Sequence, residues 1–384
     1  KRTKGLQSWA LVDTKSFFSL KVKSIAKILF SIDCFMIHLG LTVNNCYAGD
    51  TCENIKRTID LTLDDILYNE IRQSTSLSDQ SVIIKTSASL TIVMFVAGLI
   101  NGIFSCITFQ NKQLRNVGCG IYLLASSITF LITISMFQIK FWFLFFTQIN
   151  THTNTSILLI GCKLIEPLLK FCLYLDAWFN ACVAMERAVN VSKGVTFDKA
   201  KSRHIARWII VILPLCVLIS LVQEPIKRDM FEVKQYESQT IIHEKVNYAY
   251  CATRYSTALK IYNTVIYFFH LLVPFGINLF SALYIIFGNA RRRSVAQPDR
   301  TYQQHVREQF NEHKQLLISP VVLAIVSSPR VIISLVPGCI NTNENRWIYL
   351  SAYFISFIPA MLIFIIFVLP SDLYKEKFRE SMKK

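Results

Sequence analysis

The segment Cys162–Val191 reads CKLIEPLLKFCLYLDAWFNACVAMERAVNV. It opens at a cysteine, crosses an apolar stretch, and ends in Glu186-Arg187-Ala188 ahead of a basic run. Cys162 and Arg187 are 25 residues apart, about 37 Å of α-helix. That length puts one end of the segment at each face of a bilayer.

The rest of the chain agrees with a membrane setting. Of its 384 residues 52% are hydrophobic and only 17% charged, less charge than a soluble domain of this size uses to cover itself. Apolar length predicts seven spans, at 84–109, 117–139, 162–187, 205–223, 258–288, 313–338 and 347–369. The second runs into the aromatic cluster 141–146, suited to the outer interface. The formal net charge of +16 would point to nucleic acid in a soluble protein. Here it falls on one side, so no nucleic-acid partner is expected.

Lys112 and Arg115 follow the first span, Lys193, Lys199, Lys201, Arg203 and Arg207 the third, and Arg291, Arg292, Arg293, Arg300 and Arg307 the fifth. Lys375, Lys377, Arg379, Lys383 and Lys384 lie in the tail. The alternate connections hold Lys140 alone, a mixed-sign segment 224–254, and Glu344 with Arg346. Cytoplasmic loops collect Lys and Arg. The N-terminus is therefore expected outside and the C-terminus in the cytoplasm, in an integral protein of the plasma membrane. Asn154-Thr155-Ser156 is a glycosylation sequon on a predicted outer loop; Asn190-Val191-Ser192 falls inside and should stay unmodified.

Three regions follow: an extracellular segment 1–82, a bundle 83–370, and a tail 371–384. The start at Lys1 reads as a fragment or processed form. Lys27, Asp33 and His38 interrupt the apolar run 26–43, which is read as ectodomain or amphipathic segment, with an uncleaved signal anchor as the alternative. Cys46 and Cys52 are either bridged or two free thiols. In 371–382, Leu373, Tyr374, Phe378 and Met382 recur at helical spacing between basic residues. That predicts an amphipathic helix on the inner leaflet, in contact with membrane lipid, with Ser371 as its cap. The 11 Cys and 7 His show no metal-ligand spacing. No nucleophile motif stands out, so neither an enzyme nor a cofactor is expected.

These features resemble the rhodopsin-like (family 1) G-protein-coupled receptors over roughly residues 84–382. In that family a cysteine caps the outer end of the third helix and an Asp/Glu-Arg-Tyr triplet closes its inner end. The resemblance implies an all-α membrane protein, a seven-transmembrane helix bundle with a short amphipathic C-terminal helix. It also implies a disulfide between Cys162 and Cys251, the one cysteine of the 224–257 loop. Asn101 looks like the family's polar anchor in the first span, and Trp178 like its mid-helix tryptophan. Pro274, Pro329 and Pro359 resemble its hinge prolines, which free backbone carbonyls.

The departures are large. Ser126 and Ser127 occupy the region of the family's second-span Asp. The sixth-span motif reads Val326-Ser327-Ser328-Pro329, the seventh Ile358-Pro359-Ala360-Met361-Leu362, and the triplet ends in Ala188. The chain is thus similar to divergent invertebrate branches, chemoreceptor-like and peptide-receptor-like. It is similar also to predicted rotifer receptors, which share runs such as 353–359 and 367–371.

Ionisable residues inside spans are costly and mark function. Asp176, near the midplane, is expected to replace the missing carboxylate and to hold sodium or water in a central polar site with Asn101, Ser126, Ser127 and Asn180. The alternative is a protonated carboxyl bonded to the same groups. By resemblance Glu166, Leu169, Lys170, His270, Arg330 and Tyr353 line the ligand pocket. Arg330 meets an anionic ligand group or pairs with Glu166, and Glu166 can also pair with Lys170. Leu169 stands where amine receptors keep an acid, which argues against a biogenic amine. Glu186 and Arg187 form the G-protein-coupling end. Arg187 pairs at rest with Glu186, Glu308 or Glu312. The implied partners are an extracellular ligand, peptide or small chemosensory molecule, and a heterotrimeric G protein. The rival readings are a seven-helix chemoreceptor ion channel, which the charge bias opposes, and a membrane transporter, for which no half-chain repeat is visible.

Overall fold

The computed structural model describes residues 47–48, 54–55, 62–67, 70–72, 75–149, 155–235, 246–253, 256–296, 322, 325, 346–369 and 371–383. The predicted run 26–43, Cys46, Cys52, Asn154, Glu308, Glu312, Pro329 and Arg330 lie outside the described residues. So does the sixth span, apart from the helical Val322 and Ile325. The chain divides into two units. Of the first, residues 1–58 with 335–340, the described part is a short antiparallel ladder of β1 (Tyr47–Ala48) and β2 (Asn54–Ile55).

The second unit, 59–334 with 341–384, holds everything else. It begins with a short helix α1 (Leu63–Leu67), then α2 (Val82–Phe109), α3 (Gly118–Ile149) and α4 (Thr155–Lys193). Next come α5 (Lys199–Leu221) and α6 (Gln223–Lys227), a hairpin β3 (Arg228–Gln235) and β4 (Val246–Thr253), and α7 (Thr257–Ala296). The chain ends in α8 (Arg346–Ile355), α9 (Ile358–Met361), a π-helical turn Phe364–Val368, and α10 (Asp372–Met382).

Among the described residues four helices are long and apolar enough to cross a membrane: Val82–Phe109, Gly118–Ile149, Lys199–Lys227 and Ile261–Ile285. Their outward faces are apolar. Val93, Val96 and Ile100 on α2 and Trp208, Val211, Leu215 and Ile219 on α5 are exposed, which suits lipid and not water. Serines and threonines inside these helices return their hydroxyls to the previous turn. Ser87 donates to the Ile83 carbonyl at 2.7 Å, Thr91 to Ser87 at 2.6 Å and Thr133 to Thr129 at 2.8 Å, so these hydroxyls are satisfied within their own helices. Phe109, Phe130, Phe137, Phe141, Ile134 and Leu169 are fully buried at the centre.

The structure revises several expectations. The expected all-α architecture is interrupted by the β3–β4 hairpin, whose register pairs Met230 with Cys251 and Asp229 with Ala252. Val246, Tyr248, Tyr250 and Thr253 are the β-branched and aromatic types that favour a strand. The second predicted span stops too early at 139. The aromatic cluster continues the helix to Ile149, which makes Lys140 a buried helical residue, not a loop charge. α4 is long enough to span, but Lys163, Glu166, Lys170 and Asp176 interrupt its apolarity. The stretch 347–369 is broken near Pro359, which lacks an amide donor and disfavours helix before it. After the break Leu369 donates to the Phe364 carbonyl at 3.2 Å, five residues back. Finally, Ser371 sits at the cap position of α10, but its side chain makes no capping bond.

The expected boundary at 82 also cuts through packed structure. Leu63, Ile66, Leu67 and Ile71 belong to the main hydrophobic cluster. The connection from α1 to α2 is stapled by Gln80. Its Nε2 donates to the Arg72 carbonyl and to Thr75 Oγ1, each at 2.7 Å, and its Oε1 accepts from the Arg72 amide at 2.9 Å.

Candidate functional site

α4 carries functional candidates along its whole length, at three levels. Toward the N-terminal end of α4, α1 delivers Asp64 and α3 delivers Lys140 to Glu166. Lys140 Nζ contacts Asp64 Oδ2 directly and lies 3.4 Å from Glu166 Oε2. All three are buried. Beside them on α4, Lys170 Nζ is 3.1 Å from Glu224 Oε1, and Glu224 Oε2 is 3.3 Å from Arg228 Nη2. Glu166 therefore pairs with Lys140, not with Lys170. Leu169, between these charges, is sealed in the core at 1% exposure. Cys162 Sγ lies 3.9 Å from the Asp229 carbonyl of β3, next to the residue pair that includes Cys251. It is not among the free thiols Cys106, Cys119, Cys172, Cys182 and Cys216.

At the middle level Asp176 is 5% exposed. Ser126 Oγ of α3 donates to its Oδ1, and Asn180 Nδ2 donates to its Oδ2 at 3.2 Å and to its backbone carbonyl at 2.9 Å. Asn180 Oδ1 accepts no hydrogen bond. Ser127 instead donates to the Leu123 carbonyl at 2.7 Å, and Asn101 donates to the Met361 carbonyl, tying α2 to α9. The structure thus joins Asp176, Ser126 and Asn180 and spends Asn101 and Ser127 elsewhere. A carboxylate, a hydroxyl and an idle amide oxygen are hard oxygen donors of the kind a sodium ion takes.

His270 of α7 sits at the same helix as one of the hinge prolines. Trp178 Nε1 donates to its Nδ1 at 2.9 Å, and Ser220 Oγ of α5 is 2.8 Å from its Nε2. An indole is only a donor, so Nδ1 must accept and Nε2 carries the proton. Ser220 accepts it and passes its own hydrogen to the Val217 carbonyl at 2.7 Å. Tyr174 stacks on the imidazole at 4.7 Å. This chain of donors holds α4, α5 and α7 together. Pro274, inside α7, keeps its carbonyl satisfied through Asn278 Nδ2 at 2.9 Å. Tyr353 of α8 is half-buried against Phe137 and Phe357, at ring separations of 6.1 and 5.4 Å.

Toward the C-terminal end of α4, Glu186 and Arg187 turn apart. Ser202 Oγ of α5 donates to Glu186 Oε1 and accepts from the Gly118 amide at 3.1 Å. A Cβ at Gly118 would lie 2.6 Å from Glu186 Oε2 and 2.9 Å from Ser202 Oγ, so any side chain there must displace them. Arg187 lies over the Phe367 ring, 4.9 Å from its centroid, and beside Cys119 and Tyr374 of α10. The expected Glu186–Arg187 pair is therefore replaced by two separate holds. Adjacent helical residues point about 100° apart, so each reaches a different neighbour.

Sequence reasoning missed Asp64, Lys140, Glu224, Ser202, Gly118 and Phe367. A lone lysine just past a predicted span was the available signal for Lys140. No protein-family model matches the chain, and no curated protein matches it significantly.

Proposed function

We propose that the chain is a cell-surface receptor of the rhodopsin-like, G-protein-coupled kind, which binds an extracellular ligand and activates a heterotrimeric G protein. The observation that carries the reading is α4 itself. One helix joins the hairpin-covered Cys162 at one end to Arg187 at the other. On this reading Cys162 bonds Cys251 and ties the hairpin over the outer end. The outer ionic level receives the ligand. Arg187 waits under Phe367 and Tyr374 until the bundle opens and the G protein takes it. The Asp176 level holds water or sodium and favours the resting state.

The test is nucleotide exchange on a panel of purified G proteins, with the full chain in lipid nanodiscs. Exchange above the empty-nanodisc background, lost in Arg187→Ala at equal protein level, supports the receptor. Absence of exchange across the panel, together with ion flux or substrate uptake in proteoliposomes, would overturn it in favour of a channel or transporter.

A further inference from the structure

We propose that α1 is an autoinhibitory strap: docked against α3 and α8, it keeps Arg187 covered at the far end of the bundle, and its release uncovers it. That the uncovered arginine then couples to a G protein rests on the receptor reading above; the strap itself does not. The argument starts from size. Five residues, Leu63–Leu67, are too few for a helix to hold by itself. α1 exists because its side chains are docked. Leu63, Ile66 and Leu67 are at most 3% exposed and belong to the main hydrophobic cluster. Asp64 contacts Lys140 of α3 directly, and α1 packs against α8. The Gln80 staple on Arg72 and Thr75 fixes the turn that brings it there.

Position says what the strap holds. Phe137, one turn before Lys140 on α3, packs on Phe354 at 5.6 Å and on Phe357 at 4.4 Å. α1 therefore closes the end of the seam between α3 and α8. The stretch 346–369 runs on from α8 through α9 to the π-helical turn, where Phe367 lies against Arg187. One continuous piece of chain thus links the grip of α1 to the cover of Arg187. The docked α1 and the covered Arg187 occur in the same structure, so the docking contacts stabilise the covered state. Charge says that the strap can let go. When Asp64 leaves, Lys140 keeps Glu166, 3.4 Å away, and Asp64 passes into water, where a carboxylate is stable. Neither state strands the buried ammonium.

The experiment compares amide hydrogen exchange in the full chain and its Asp64→Asn variant, both in lipid nanodiscs, because exchange reports local opening element by element. In Asp64→Asn the amides of α1 should exchange at least tenfold faster. Those of Phe364–Val368 and α10 should exchange several-fold faster, while the buried middle of α3 keeps its protection. Three results would overturn the proposal. The first is unchanged exchange in α1. The second is a loosened α1 with Phe364–Val368 and α10 unaffected, since the strap then holds nothing at Arg187. The third is faster exchange in every helix, since α1 is then an ordinary part of the core. Should Asp64→Asn fail to fold, Gln80→Ala leaves the buried charges in place and cuts only the staple. It must give the same pattern in weaker form, and its absence is equally fatal. The readout needs no G protein. The expected pattern without any nucleotide exchange would count against the coupling and leave the strap standing.

Discussion

Asp176 is a carboxylate with two donors and a neighbour whose amide oxygen is idle. Asp176→Asn can keep this arrangement. The new amide accepts from Ser126, and Asn180 turns its side-chain amide over so that Oδ1 accepts from the new Nδ2. The expected cost is about 1 kcal/mol or less, the scale of a net hydrogen bond, read as a small fall in Tm. Asp176→Leu strands Ser126 and Asn180 and should cost about 1–3 kcal/mol for each unsatisfied group. Equal Tm values for the two variants would refute the network. Lys140 is the sharper case. Lys140→Met leaves two carboxylates buried together and should cost about 3–5 kcal/mol. Converting Asp64 and Glu166 to Leu and Met in the same chain should recover most of it, because apolar replacement of a whole buried ionic group is close to neutral. At this scale the sequence was legible where a charge stood out against apolar neighbours, as at Asp176, Glu166 and Arg187. Their partners were not legible. Asp64 and Lys140 are 76 residues apart, and no spacing rule links them.

The helices were the most legible elements, because apolar length alone marks α2, α3, α5 and α7. The turn from α4 to α5 was legible only in part. Asp198 caps α5 by accepting from the Ala200 and Lys201 amides at 2.9 and 3.0 Å, and Gly194 supplies the positive φ of 54° before it. The hairpin was missed because its alternation is short and its charges mixed. The contact of α3, α4 and α5 at Gly118, Glu186 and Ser202 yields the next test. Gly118→Val places a Cβ 2.6 Å from Glu186 Oε2 and 2.9 Å from Ser202 Oγ, beside the Ser202–Glu186 Oε1 bond. It should push Glu186 off Ser202 and lower Tm by more than Ser202→Ala, which removes about 1 kcal/mol of hydrogen bonding without steric conflict. A Gly118→Val variant as stable as wild type would show that the three helix ends are loosely held.

Within the second unit α4 carries residues of all three levels, from Glu166 through Asp176 to Arg187, so a shift at Glu166 and a change at Arg187 can be the same rigid motion. Nothing in the residue pattern announced how the Arg187 end is closed, because Ala188 and Leu362 offer no hydroxyl there. The structure supplies other groups. Tyr374 stands beside Arg187 and packs edge-on against Phe109 at 5.6 Å, and Phe367 lies under the guanidinium. Phe378 anchors α10 on Phe104 and Phe364 at 5.4 and 5.1 Å. α10 is thus a latch on Arg187 as well as a surface helix. If release of Arg187 is required for coupling, loosening the latch should raise signalling without ligand. Tyr374→Phe removes the hydroxyl and keeps the packing; Phe367→Leu removes the ring face under the cation. Together they withdraw about 1–2 kcal/mol, enough to move a two-state ratio by about tenfold. Basal nucleotide exchange should therefore rise several-fold in the double variant at unchanged protein level, and Arg187→Ala on the same background should abolish it. Basal exchange that stays flat, or that rises and survives Arg187→Ala, would show that the latch holds something other than the coupling arginine.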